Sequence, residues 1–313
     1  MLNAIVFLTW YVNPPDPPYW KHFNLDGLLV SLSSIAGFRK LSSNVLKCYF
    51  SRGLKRLLQF KGTLLVDSLI SPLREMNTNS SKYPQHLVLY LQYVLGADVL
   101  IHKDVPFVDI SLTETQRKKM LKKTLVNAEA ALEIGSKLGK DVILVVQGWD
   151  ETTYRIVAQK YLELGAKYIG IGSLVRHRSN SSYLYRIIRA VREEVGNKVW
   201  VHSFGVSAPS IMKRILKFVN SFDTSTPIRA AANRELIYTD KGELKRVRIS
   251  SIEGLNKLKE IAEESSDHVE SEFALNVLKS SRVSELKYWL AVLNAYKLII
   301  WVSRMKIERE KYV

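Results

Sequence analysis

Eight short apolar, β-branched runs recur along this chain with helix-like stretches between them, and this rhythm constrains the fold more than any other feature. The runs are Ala4–Thr9, Leu28–Leu32, Thr63–Val66, Ala97–Ile101, Asp141–Val146, Lys167–Ile171, Lys198–Val201 and Phe218–Phe222. From the fifth onward they alternate regularly with helical patterns. Strands separated by helices are joined by crossovers, so they run parallel and the crossovers are right-handed. Eight such strands predict a (β/α)8 TIM-type barrel; an open doubly wound sheet is the alternative, because spacing does not give strand order. At 313 residues the chain is long enough for such a barrel as one domain.

Boundary signals support the helices. Ser111 and Glu114 have capping-box spacing before a helix expected over Thr115–Leu138. Asp150 is placed to cap a helix that runs to Leu164 and is stopped by Gly165, and Gly196 stops a helix over Tyr183–Val195. Ser207 is placed to cap the next helix, with Pro209 in its first turn. From Ile252 the pattern is purely helical, over Ile252–Glu264, Glu270–Lys279 and Ser284–Arg309. The expected organisation is a barrel over residues 1–250 and a helical extension over 251–313 packed on it. Tyr288–Met305 is the most membrane-like stretch, but Asn294 and Lys297 interrupt it, which suits a packed helix better than a span. Met1–Val12 has no basic segment or small-residue cleavage site and reads as no signal peptide.

Polar residues or glycines follow six of the runs at the same relative place. They are Asp67-Ser68, His102 with Asp104, Gln147-Gly148-Trp149, Gly172-Ser173, His202 with Gly205, and Asp223. In a parallel barrel these strand ends share the face where active sites form. Taken singly, Asp67 suits a turn, Asp104 an exposed aspartate before Pro106, and Asp223 a helix cap. Taken together, three carboxylates at one mouth suit chemistry at a sugar carbon, where one attacks the anomeric centre and another moves a proton.

Charge narrows the partners. The net charge is +16 with a pI near 9.7, which suits either a solvated basic surface or a polyanion such as nucleic acid, with nucleic acid the favoured reading. Arg176, Arg178 and Arg229 are candidate phosphate contacts; Arg186, Arg189 and Arg192 form a basic helix face that suits solvent equally well. Trp149 suits either base stacking or the core. Cys48 is the only cysteine, which excludes an internal disulfide and a Cys-rich zinc site and suits a cytoplasmic protein. His102, His177 and His202 share no metal-ligand spacing, and His202 reads as structural.

These motifs resemble the tRNA-guanine transglycosylases. Val145 to Trp149 resembles their glutamine-glycine motif, Gly170 to Arg176 their glycine-rich strand end, and Val201 to Val206 the His-x-Phe-Gly segment of the archaeal branch. Ser221 to Ser225 resembles the nucleophile segment, Leu65 to Ser68 the start of Asp-Ser-Gly-Gly-Phe, and Gly96 to Asp104 the base-recognition segment. All six stand in the family's order between about Leu64 and Arg234, and the variants look closest to the branch that inserts 7-deazaguanine derivatives into DNA.

The resemblance implies that Asp223 attacks C1′ and that Asp67 is the general acid/base. It implies that Asp104, Gln147, Gly148, Gly172, Ser173 and Leu174 bind the purine. Expected partners are DNA, with tRNA as the alternative, a free 7-deazaguanine base, and a second copy of the chain or an accessory protein, but no membrane. A non-catalytic nucleic-acid-binding relative is a third reading. Two family glycines are replaced in Asp67-Ser68-Leu69-Ile70-Ser71, and Ile237–Arg248 contains no Cys or His for the family's zinc, so no metal or other cofactor is expected.

Overall fold

The structure, a computed structural model, describes residues 6–12, 16–36, 42–68, 83–107, 112–174, 180–206 and 208–310. The chain divides into two compact units. The first comprises Met1–Pro14, Asp26–Val206 and Arg214–Asp223; the second comprises Pro15–Leu25, Ser207–Lys213 and Thr224–Val313.

The first unit is the (β/α)8 barrel. Its strands are β1 (Val6–Trp10), β2 (Gly27–Val30), β3 (Thr63–Val66), β4 (Leu100–Ile101), β5 (Val142–Val146), β6 (Tyr168–Ile171), β7 (Trp200–Ser203) and β8 (Ser221–Thr224). They form one sheet in the order β3-β2-β1-β8-β7-β6-β5-β4, which excludes the doubly wound alternative. β1–β2, β2–β3, β4–β5, β5–β6, β6–β7 and β7–β8 pair in parallel. A parallel bridge between Leu65 and Val99 brings β3 to the start of β4 and nearly closes the ring.

Side chains fill the barrel. Phe7, Leu29, Leu65, Val99, Ile101, Ile143, Val145 and Tyr168 form one buried cluster, with Trp200 and Phe204 packed against it. Because strand side chains alternate between faces, these residues mark the inward face of each strand. Gly170 belongs to that face, and a Cβ there would collide with the Phe204 ring.

The surrounding helices carry local start signals. Glu114–Lys137 begins at a capping box between Thr113 and Gln116 rather than between Ser111 and Glu114; Ser111 lies outside the described residues, as does Ser207. Asp150 caps Glu151–Glu163 as expected, with Thr153 completing the box. Asn180 caps Ser181–Val195. On that helix Arg192 donates to the carbonyls of Phe218 (2.6 Å), Gly196 (2.6 Å) and Val199 (2.9 Å), and to Asn220. This side chain therefore ties the helix to the strand entries, a structural use of one residue from the expected basic face.

The second unit contains a feature not expected from the sequence, an antiparallel hairpin of β9 (Glu235–Asp240) and β10 (Glu243–Arg248). Its turn places Lys241 and Gly242 at φ 48° and 79°, the two positive angles of a type I′ hairpin. The helices Ile252–Glu264, His268–Lys279 and Val283–Glu310 follow. Asn294, fully buried in the last helix, accepts from the Ile237 N–H (2.7 Å) and donates to the Glu235 carbonyl (2.9 Å). The polar interruption in the apolar stretch thus pins this helix to the hairpin. Among the described residues no helix is long and apolar enough to cross a membrane.

Candidate active site

The same alternation that fills the barrel determines which side chains finish it. Two residues beyond Phe7, Leu29, Leu65, Val145 and Gly170, on the same faces and at the carboxyl ends of the strands, come Thr9, Ser31, Asp67, Gln147 and Gly172. On β8, Ser221 and Asp223 share a face, and Ser221 meets Trp200 and His202 of β7. An apolar interior is therefore topped by a layer of small and polar groups. His202 and Asp223 were expected just past their strands; both lie within them, because β7 and β8 begin two or three residues later than the apolar runs.

One cluster gathers on β4, β5 and β6. Asp104 is buried, not exposed before Pro106. Its Oδ2 accepts a short hydrogen bond from Gln147 Nε2, and its Oδ1 accepts from Ser68 Oγ (3.3 Å). Gln147 is 1% exposed, and among the described residues its Oε1 has no donor. Buried acceptors are normally satisfied, so this atom marks a place where a donor is missing.

Gly172 makes room for that amide, since a Cβ there would run into Gln147 Nε2. Ser173 follows at φ 56°, an uncommon angle for a residue with a side chain, and its Oγ accepts the Phe107 N–H (2.9 Å). Leu174 is buried beside it in sequence, and Gly148 is backed by Thr153 and Tyr154. The Tyr154 hydroxyl donates to the Gly172 carbonyl (2.9 Å). Trp149 is half-buried and meets Phe107 edge to face at 5.6 Å.

A second cluster surrounds Asp223, four strands from β4 in either direction around the ring. Asp223 is 8% exposed. Its Oδ1 accepts from the Gly205 N–H (2.9 Å) and from His202 Nε2 (3.4 Å), and its Oδ2 from Thr9 Oγ1 (3.4 Å). Asp67 lies at the end of β3, where its Oδ1 accepts the Leu32 N–H (2.8 Å). The turn-capping role that suits a lone aspartate is thus present, on a side chain that also continues the inward face.

His102 belongs to neither cluster. It is fully buried, and its Nδ1 accepts the Val145 N–H (2.8 Å), joining the end of β4 to β5. Burial lowers its pKa to about 3, so the ring is neutral. Nearby, burial and then the Asp104 charge raise the Tyr161 phenol well above its ordinary value.

Arg176 and Arg178 lie outside the described residues, as do Leu69, Ile70, Ser71 and His177. Arg229 is exposed on Thr226–Ala232 in the second unit. The reading of His202 as merely structural missed its contact with Asp223; the signal was the histidine at the end of one inward strand face beside an aspartate on the next. No family model and no curated protein matches this chain.

Proposed function

We propose that the barrel exchanges guanine in a nucleic acid, DNA before tRNA, for a 7-deazaguanine base through an aspartyl intermediate. The observation that carries this reading is the buried Gln147 Oε1, an acceptor without a donor among the described residues, beside the Asp104 carboxylate. Two adjacent acceptors suit the N1–H and N2–H donors of a guanine edge. Adenine would present its N1 lone pair to one of them, and the repulsion would reject it.

Asp223 supports the chemistry. Its Oδ1 has two donors, whereas Oδ2 has one long contact and keeps a lone pair for attack. Oδ2 forms a bond to C1′ as the C1′–N9 bond breaks and its electron pair leaves with the purine. Protonated Asp67, in the role the resemblance implies, gives the departing base its proton. The entering 7-deazaguanine returns a proton to Asp67 as its nitrogen attacks C1′ and expels the Asp223 carboxylate. Two inversions retain configuration. The exchange needs no redox or group-carrying cofactor. The target nucleotide must leave its stack to reach the barrel, and Arg176 and Arg178 would hold flanking phosphates.

The test is release of labelled guanine from DNA and from tRNA in the presence of a free 7-deazaguanine base. Release from DNA is expected. Release from tRNA alone would reassign the substrate, and binding without release from either would favour the non-catalytic reading.

A further inference from the structure

We propose that His202 is the positioning residue for Asp223, fixed as its Nε2–H tautomer by a chain of donors that begins at Trp200. The chain is defined by what each atom can do. The Trp200 indole N–H only donates, and it donates to Ser221 Oγ (2.9 Å). Ser221 Oγ lies 2.8 Å from His202 Nδ1. Asp223 as a carboxylate only accepts, so the His202 Nε2 contact requires a proton on Nε2. In the Nε2–H tautomer Nδ1 accepts, and the Ser221 hydroxyl donates to it. Every hydrogen in the series Trp200, Ser221, His202 points toward Asp223.

Packing holds the ring in place. His202 is 0% exposed, lies edge to face with Phe204 at 4.4 Å and with Phe7 at 5.5 Å, and Ser221 is fully buried. A second fully buried barrel histidine shows the contrast: His102 accepts from backbone and joins two strand ends. A core histidine needs a hydrogen-bond partner; it does not need one aimed at a barrel-rim carboxylate.

The arrangement assigns the two carboxylate oxygens different tasks. His202 and Gly205 occupy Oδ1, which turns Oδ2 toward the reacting carbon and orients the group as attacking nucleophile. The 3.4 Å contact from Nε2 is long, as catalytic hydrogen bonds often are before substrate binds. The same donors stabilise negative charge as the carboxylate is expelled in the second half of the reaction, so their loss slows that step most.

The kinetic part of this proposal rests on the base-exchange reading; the tautomer does not. Nitrogen NMR of the His202 ring is expected to show an unprotonated Nδ1 and a protonated Nε2 at neutral pH, and mixed tautomers in Ser221→Ala. A wild-type ring protonated at Nδ1 would overturn the relay. In exchange assays His202→Leu is expected to lower kcat on the order of 100-fold, the cost of a misplaced reacting group, with KM for nucleic acid little changed. The covalent species should then persist after a chase with free base. His202→Gln, which returns an N–H near the Nε2 position, should recover most of the loss, and Trp200→Phe should show the mildest defect. Wild-type kcat in folded His202→Leu would also overturn the proposal. Where that variant fails to fold, unchanged kinetics in Ser221→Ala would do so. If the wild-type protein exchanges no base on either nucleic acid, the base-exchange reading falls while the NMR result still decides the relay.

Discussion

The two polar clusters at the carboxyl ends of the strands differ in how their acceptors are met. Around Asp223, three donors converge on one carboxylate: the Gly205 N–H, His202 and Thr9. Beside Asp104, Gln147 Oε1 is an acceptor with no donor among the described residues. A carboxylate held by fixed donors is oriented whether or not a ligand is present. An acceptor lacking a donor is complete only when a ligand supplies one. On the proposed function this is a division of labour, with one side of the barrel prepared for reaction and the other for recognition.

The largest break in that comparison comes from changing the balance on the recognition side. Asp104→Asn replaces an accepting carboxylate with a group that also donates, which sets donor against donor at the guanine edge. We expect kcat/KM for base exchange to fall roughly 10³-fold, with nucleic-acid affinity in gel shifts far less affected. Unchanged exchange would remove Asp104 from base recognition.

Gly172→Ala tests the same side by crowding. The added methyl meets the Gln147 amide, whose room exists only because residue 172 has no side chain. Overpacking of this kind costs about 1–3 kcal/mol, and a KM for the free base raised by about tenfold is the expected reading. An unaltered KM would show that the Gln147 amide does not need its present position.

The smallest effect concerns His102, which serves the frame rather than either cluster. Its folded pKa of about 3 lies below the ordinary 6.5. Between those values the unfolded chain binds a proton that the folded ring refuses, so this group lowers stability as pH falls. The contribution is level above pH 6.5 and falls by at most about 1.4 kcal/mol per pH unit down to pH 3. Urea midpoints at pH 7 and pH 5 should therefore diverge more in the wild type than in His102→Gln. Equal differences would mean that His102 charges in the folded state.

How far the sequence reveals this molecule varies with the physics of each part. Thr63–Val66 reads correctly to the residue because an apolar run fills its whole strand. His202 and Asp223 read as lying beyond their strands because polar residues inside a strand end look like loop. β4 reads as five residues but is two, since the Leu65–Val99 bridge takes over part of its pairing. The hairpin went unread although Lys241-Gly242 is its turn, because its strands are short of core residues and β10 is mostly exposed. The inward alignment of Asp67, Gln147 and Asp223 follows from period-two alternation once the strands are placed. The orphaned Gln147 Oε1 and the donor chain through His202 depend on side-chain geometry between strands, which no single run of sequence encodes.

The most direct test of the central claim is to mix the protein with guanine-containing DNA, denature it during turnover, and map any covalent nucleic acid by mass spectrometry. The account predicts an adduct on the peptide containing Asp223, chased by free 7-deazaguanine base and missing from Asp223→Ala. An adduct on another residue, or one that survives Asp223→Ala, would contradict it.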